Sequence, residues 1–294
     1  MVLYLIGLGL GDEKDITVRG LEVVRKCSKV VLEHYTSVLG VDKERLEAFY
    51  GKEVTLGDRD YVESQAESIY ATAAEEDVAF LVVGDPLCAT THTDLIIRAR
   101  NLGVPVEVIH NTSVMGAVAS CGLQLYNFGR TVSIPLWEEN WEPGSFYEKI
   151  RVNKEAGMHT LCLLDIKVKE PDFTKMARGH ISYLPPRFMT VRVALEQLLE
   201  VESREGLGIC TPDSMAVGLA RLGQPSQQIV AGKISELLEV DFGEPLHSLA
   251  LCGETHPLED ELLRMHRRET KISPEEAAAD SADDATTADT GVPA

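Results

Sequence analysis

Two apolar runs in this chain stop abruptly at glycine and an acid. Val2-Leu3-Tyr4-Leu5-Ile6 runs into Gly7-Leu8-Gly9-Leu10-Gly11-Asp12, and Leu81-Val82-Val83 runs into Gly84-Asp85-Pro86. Apolar residues at consecutive positions suit strands covered on both faces, and such strands belong to parallel sheets flanked by helices. The glycines mark strand ends at which a ligand can approach the main chain. Two such ends on separate strands predict a site at one edge of one sheet.

The first third of the chain alternates strand and helix. Val2 to Ile6 reads as a strand, Thr17 to Cys27 as a helix capped by Asp15 or Thr17, and Lys29 to Glu33 as a second strand. Helices near Asp42 to Phe49 and Tyr61 to Ala74, a strand from Val78 to Val83, a helix from His92 to Leu102 and a strand from Val106 to Ile109 follow. This rhythm predicts a mostly parallel sheet with ligands at the carboxyl ends of its strands. After Ser113 the pattern changes. A small-residue helix (Ser113 to Leu125) leads to a strand at Thr131 to Pro135 and a polar stretch containing Trp137 and Trp141. The second half offers strands at Thr160 to Ile166, Met215 to Ala220 and Ser248 to Cys252, and helices at Phe146 to Ala156, Val191 to Val201 and Pro257 to Arg267. The expected division is therefore a βα domain over 1–112, a mixed-sheet domain over 113–270 and an acidic, disordered tail over 271–294.

Composition narrows the function classes. At 294 residues the chain is long enough for two α/β domains, since single cores commonly hold roughly 100–200 residues. No apolar run approaches the ~20 residues needed to span a bilayer, and the first strand lacks a basic leader, so a cytosolic protein without membrane contact is expected. The six cysteines are scattered and never form a Cys-x-x-Cys pair, which argues against zinc and disulfides and for small core residues. The formal charge of −19 includes six acids from Glu275 to Asp289, but the body is acidic too, which disfavours binding to a phosphate backbone.

The motifs support several readings taken singly. Gly7-x-Gly9-x-Gly11 evokes a dinucleotide fingerprint, yet the position three after Gly9 is Asp12, so the required spacing is absent, although Glu33 at a strand end could still bond a ribose. Gly84-Asp85-Pro86 offers an extended aspartate whose carboxylate suits ribose hydroxyls or an ammonium group. Ala89-Thr90-Thr91-His92 with Asp94 reads as a capped helix start, with His92 in a structural hydrogen bond. Asn111-Thr112-Ser113 follows a strand and opens a helix, and so reads as a cap or as a ligand contact.

Taken in order, the strings GLGLGDEKDIT, LEHYTSVL, FLVVGDPLCATTH, VIHNTSVMGAVASCGLQLYNFG, MHTLCLLDIKVKE and GEPLHSL resemble the diphthine synthases, from Met1 to about His256. The resemblance implies the tetrapyrrole methylase-like fold: two αβα domains with S-adenosylmethionine in the cleft between them. It implies a cytoplasmic, homodimeric methyltransferase of diphthamide biosynthesis, acting on the 3-amino-3-carboxypropyl-histidine of elongation factor 2. In the eukaryotic form the amine is trimethylated and the carboxylate becomes a methyl ester. By the same resemblance, Leu10, Asp85, Cys88, Ser113, Val114, Leu164, Leu222 and His247 would contact the cofactor. Cys88 stands where relatives commonly carry glycine and would crowd the pocket or contact it through the backbone. Transfer from an activated sulfonium rests on positioning, so no catalytic base and no metal are assigned. Lys167, Lys169 and Arg187 are each read first as solvated surface, and otherwise as cationic contacts to the substrate carboxylate or to the elongation-factor loop; Trp137 and Trp141 are candidates for a dimer interface or for packing on their own domain. A tetrapyrrole-type small-molecule methylase and an inactive elongation-factor-binding module are the alternatives.

Overall fold

The computed structural model describes residues 1–35, 39–63, 66–170, 175 and 182–267. The first sheet holds five parallel strands, β1 (Leu3–Gly7), β2 (Lys29–Glu33), β3 (Thr55–Gly57), β4 (Val78–Val82) and β5 (Val106–Ile109), in the order β3-β2-β4-β1-β5. β1 and β4 are neighbours, with Gly7 opposite Val82, so the loops after them leave the sheet side by side. The unbroken apolar runs are explained by two cores. Leu3, Leu5, Phe80 and Val82 face Ile69, Tyr70, Leu95 and Ala99, whereas Ile6, Ala79 and Leu81 face Val24, Leu46 and Tyr50. Burying each large apolar side chain contributes roughly 1.5–3 kcal/mol.

Five helices cover this sheet: α1 (Val18–Lys26), α2 (Lys43–Tyr50), α3 (Arg59–Glu63), α4 (Glu67–Glu75) and α5 (Thr93–Asn101). Thr17, not Asp15, caps α1 by accepting the Gly20 N–H, while Asp42 caps α2 through the Arg45 N–H. The helix expected over Tyr61 to Ala74 is divided between α3 and α4. β3 escapes the sequence reading because three residues at a sheet edge carry too little pattern.

The second sheet is mixed. It is built from β6 (Val132–Ile134), β7 (Thr160–Leu164), β10 (Met215–Ala220), β11 (Gln228–Lys233) and β12 (His247–Leu251), in the order β11-β10-β12-β7-β6, with only the β6–β7 pair parallel. A separate hairpin pairs β8 (Ile166–Lys167) with β9 (Arg187–Phe188). One face of the second sheet packs on α7 (Ser145–Glu155) and α8 (Val191–Glu205) through Phe146, Ile150, Leu195 and Leu198. The other face packs on Val118, Cys121 and Leu263, with Leu10 of the first loop and Val114 resting on the same cluster. That contact joins the two halves.

Several elements differ from the sequence expectation for local reasons. The helix expected from Ser113 to Leu125 is a single turn, α6 (Val114–Ala117), followed by a 3-10 turn over Val118–Cys121. It stops at Gly122, which has φ 98°, and a β-carbon there would lie 2.7 Å from Leu262 of α10 (Pro257–Met265). The strand expected from Thr160 to Ile166 breaks at Asp165, which holds the Leu136 N–H with its carboxylate and the Met189 N–H with its carbonyl. β11 and the short α9 (Ile234–Leu237) had no counterpart in the sequence reading. The tail expected over 271–294 lies outside the described residues.

A buried pair anchors α10 beneath the second sheet. Glu259 takes N–H groups from Gln124 and His256 at 2.7 Å and approaches His159 Nε2 at 3.3 Å, while His159 Nδ1 accepts the Gly253 N–H. Burial alone would raise the Glu259 pKa, but these donors outweigh it and hold the carboxyl below the ordinary value.

Gly218 of β10 leaves no room for a side chain. A β-carbon there would sit 2.1 Å from the Phe242 ring, which itself leans on His247 at a centroid distance of 5.8 Å. Gly218→Ala is expected to lower stability by about 1–3 kcal/mol, seen as a lower urea midpoint. An unchanged midpoint would show that the ring moves freely.

Candidate active site

The loops after β1 and β4 are locked to each other. Gly9 and Gly84 form an antiparallel bridge, Gly84 N donating to Gly9 O at 2.8 Å and Gly9 N donating to Gly84 O at 3.2 Å. Both have positive φ, 75° and 79°, a region that a residue with a β-carbon rarely adopts. Asn111, just past β5, ties the third strand end in: its side-chain amide donates to Gly7 O and Asp15 O, both at 2.9 Å. Asp15 returns the constraint by accepting the Gly11 N–H at 2.7 Å.

Asp85 sits at the centre of this assembly and is 3% exposed. One carboxylate oxygen accepts the Leu87 N–H at 2.9 Å, and the other accepts the Asn111 N–H at 3.0 Å and His110 Nδ1–H at 2.8 Å. Burial pushes its pKa up, but the Leu87 and Asn111 amides and the His110 ring pull harder, so the carboxyl titrates below its usual range. The carboxylate read from sequence as open to a ribose or an ammonium group is thus already engaged, and it organises the loop. The next residues also differ from the capped start expected. Thr90 Oγ1 donates back to Pro86 O, and His92, buried at 1%, bonds the same carbonyl through Nδ1 at 3.1 Å instead of capping α5. Ala89 takes the left-handed region at φ 59° to complete the turn.

A cavity of about 590 Å³ lies between the two sheets, within the range typical of small-molecule sites. Leu10, Asp85, Cys88, Ser113 and Val114 line it from the first sheet and the connecting turn. Leu164, Leu222 and His247 line it from the second sheet, so all eight residues named from sequence border one hollow. Ser113 also caps α6 through the Met115 N–H. Cys88 faces the hollow without closing it.

His247 is fixed by its neighbours. Nε2–H donates to the carbonyls of Gly243 and Glu244 at 3.2 and 3.1 Å, and Nδ1 accepts the Val191 N–H that opens α8. Burial lowers its pKa against the pull of those carbonyls, aided by nearby Arg221, and the ring is held neutral with both nitrogens occupied. Arg221, at φ 51°, is itself held by the carbonyls of Phe242, Glu244 and Ser226.

The three cations weighed as substrate contacts are paired with acids outside the cavity lining. None of Lys167, Lys169 and Arg187 lines the cavity. Lys167 pairs with Glu138 and with Glu170 at 3.3 Å, Arg187 pairs with Glu170 at 2.6 Å, and Lys169 pairs with Asp58. Trp137 packs on its own half, donating to Pro143 O beneath the Arg204 guanidinium, whereas Trp141 is 53% exposed at the cavity rim. The sequence reading passed over Arg59 and Lys149, both on the cavity wall; Asp165 and Arg221, also on it, fall in strand-edge segments, Leu161 to Ile166 and Gly218 to Gly223, that read more readily as packing than as binding. For Asp165 there was a signal: like Asp85, it ends an apolar strand. Lys149 had none, being one of several charges on an amphipathic helix. Among the described residues no cluster of histidine, cysteine or acid is arranged to hold a metal ion.

The fold and the cavity define a class. The family model for tetrapyrrole (corrin/porphyrin) methylases matches residues 2–238, and the chain belongs to that family and is a methyltransferase. Within it the similarity is to the diphthine methyl ester synthases. The Saccharomyces cerevisiae protein of that name is 56% identical over 264 residues, covering 89% of this chain and 88% of its own. The Homo sapiens protein is 54% identical over 269 residues, covering 90% and 94%. A crystal structure from Entamoeba histolytica, described as a diphthine synthase, superposes with a TM-score of 0.82 at 47% identity, covering 92% of this chain and 99% of that one.

The Asp85 network carries a pH signature. A folded pKa below the unfolded value contributes stability that is present above the unfolded value, near 4 for aspartate, and lost as pH falls through the folded one. The stability difference between wild type and Asp85→Asn is therefore expected to be constant at neutral pH and to shrink below about pH 4. Urea titrations at several pH values check this. A difference that persists undiminished into acid would show that the ionised carboxylate is not what the loop depends on.

Proposed function

We propose that this chain transfers methyl groups from S-adenosylmethionine to the 3-amino-3-carboxypropyl-histidine of elongation factor 2, trimethylating the amine and esterifying the carboxylate. The observation that carries the reading is the convergence of eight named residues, from both sheets, on one cavity in a chain so similar to the diphthine methyl ester synthases. The lining fits the proposed donor. Leu10, Val114, Leu164 and Leu222 supply apolar surface for an adenine ring, and the glycine-flanked loops bring main-chain groups to the wall. When bound, the donor would supply a methyl group already activated by its positive sulfur.

What remains for the protein is placement. The substrate nitrogen, deprotonated, uses its lone pair to form the new N–C bond as the C–S bond breaks towards sulfur. After the first two transfers the ammonium formed releases a proton to solvent, and the third leaves a quaternary ammonium with none to lose. In the ester step a carboxylate oxygen attacks in place of nitrogen. Such a displacement gains from alignment and from exclusion of water. His247 has both nitrogens occupied and Asp85 is hydrogen-bonded on both oxygens, so neither serves as a free proton acceptor. The two sheets, with residues 1–112 and 113–270 as the corresponding halves, act as the jaws of the cleft.

The same reading makes the protein cytoplasmic and homodimeric, with a protein substrate and no nucleic-acid partner. Among the described residues no helix is long and apolar enough to cross a membrane. Leu258 and Met265, seven positions apart on one face of α10, are 63% and 69% exposed; this exposed apolar face supports an interface between copies.

Mass spectrometry of elongation factor 2 bearing the unmethylated precursor, after incubation with this chain and S-adenosylmethionine, is expected to show stepwise addition of up to four methyl groups. No added methyl would overturn the reading. Leu222→Asp, which places a charge against the apolar wall, is expected to weaken donor binding by about tenfold or more in calorimetry.

A further inference from the structure

Among the described residues five charged side chains line the cavity: Arg59, Asp85, Lys149, Asp165 and Arg221. Three already serve the protein. Asp85 is bonded to Leu87, Asn111 and His110, Arg221 is bonded to three carbonyls, and the Arg59 guanidinium lies over the Tyr35 ring at 5.4 Å. Lys149, on the exposed side of α7, has no ion pair or hydrogen bond from its ammonium group among the described residues. Asp165 is pinned by one oxygen to the Leu136 N–H at 2.9 Å and by its carbonyl to the Met189 N–H at 3.0 Å, while its second carboxylate oxygen has no partner among the described residues. One ammonium and one carboxylate oxygen are thus left uncommitted on the wall of one hollow.

We infer that Asp165 and Lys149 form a recognition pair for the zwitterionic head of the substrate, Asp165 binding the amine and Lys149 the carboxylate; this inference rests on the methyl-transfer reading above. In the first two transfers the amine can donate an N–H to Asp165 while keeping its lone pair free for attack; in the third, where no N–H remains, the anion stabilises the positive charge that develops on nitrogen. The anion then faces the quaternary ammonium that successive methylations create, and the rim indole of Trp141 offers a π surface suited to the same cation. Exposure separates this end from the donor's. Asp85, Ser113, Leu164, Leu222 and His247 are each at most 9% exposed, Leu10, Cys88, Val114 and Asp165 are half-buried between, and Lys149 and Trp141 stand at the open rim, where a residue of a large protein must enter. The donor has an amino-acid head of the same charge pattern, so the test must separate the two occupants.

Full-length wild type, Asp165→Asn, Lys149→Ala and Lys149→Arg are compared in two measurements. Calorimetry gives the S-adenosylmethionine affinity and reports folding; mass spectrometry gives the methylation kinetics on elongation factor 2 bearing the unmethylated head. The amide oxygen introduced by Asp165→Asn can still accept the Leu136 N–H, so that contact survives the substitution. Donor affinity is expected to stay within about twofold of wild type in every variant. KM for the factor is expected to rise about tenfold in Lys149→Ala and to recover in Lys149→Arg, and kcat/KM to fall about tenfold or more in Asp165→Asn. Unchanged kinetics in both Lys149→Ala and Asp165→Asn would overturn the pair. Donor affinity weakened about tenfold in either variant would also overturn it, assigning the two charges to the donor's head. Wild type that adds no methyl to the factor fails the underlying reading, a result distinct from either of these.

Discussion

The backbone bridge between Gly9 and Gly84 is the constraint on which the rest depends. Parallel strands end at one edge of a sheet, but nothing in the sheet holds the loops beyond that edge together. Here two glycines, each in a conformation hostile to a β-carbon, exchange N–H donors across the gap. Asn111 and Asp85 extend the tie to a third strand. The floor of the cavity is therefore hydrogen-bonded structure with few degrees of freedom, built from segments far apart in the chain. Preorganisation of this kind suits a reaction whose demand is alignment.

The other wall follows a different logic. Its sheet is mixed and its cavity-facing turn is held by side chains bonding to carbonyls: Arg221 to Phe242, Glu244 and Ser226, and His247 to Gly243 and Glu244. The charged groups on both walls are largely consumed in shaping the cavity: Asp85, Arg221 and Arg59 each have partners in the protein. It is this that sets Asp165 and Lys149 apart among the charges of the lining.

Much of the first sheet was legible because strands covered on both faces must be continuously apolar, and Val78 to Val83 leaves no other reading. The eight wall residues came from resemblance, and their meeting at one hollow is a fact of packing that no local pattern contains. Short edge elements such as β3 carry too few residues to register. That Asp85 is also held by His110, 25 positions away, is invisible from the local string. Lys167, Lys169 and Arg187 show the same limit: a sequence displays cations, but not the glutamates and aspartate folded against them. Asp165 was not singled out within its strand-edge segment although it repeats the signature of Asp85, an apolar strand closing on an acid.

Leu10 leaves the first sheet yet rests on the core of the second, beside Val114. The cleft is thereby hinged on hydrophobic contact as well as on the connecting chain. A molecule gripped by both jaws adds its binding free energy to that contact. Occupancy would then be felt as cohesion throughout the molecule, and the empty and loaded enzymes would differ in how readily a protease finds a way between the halves.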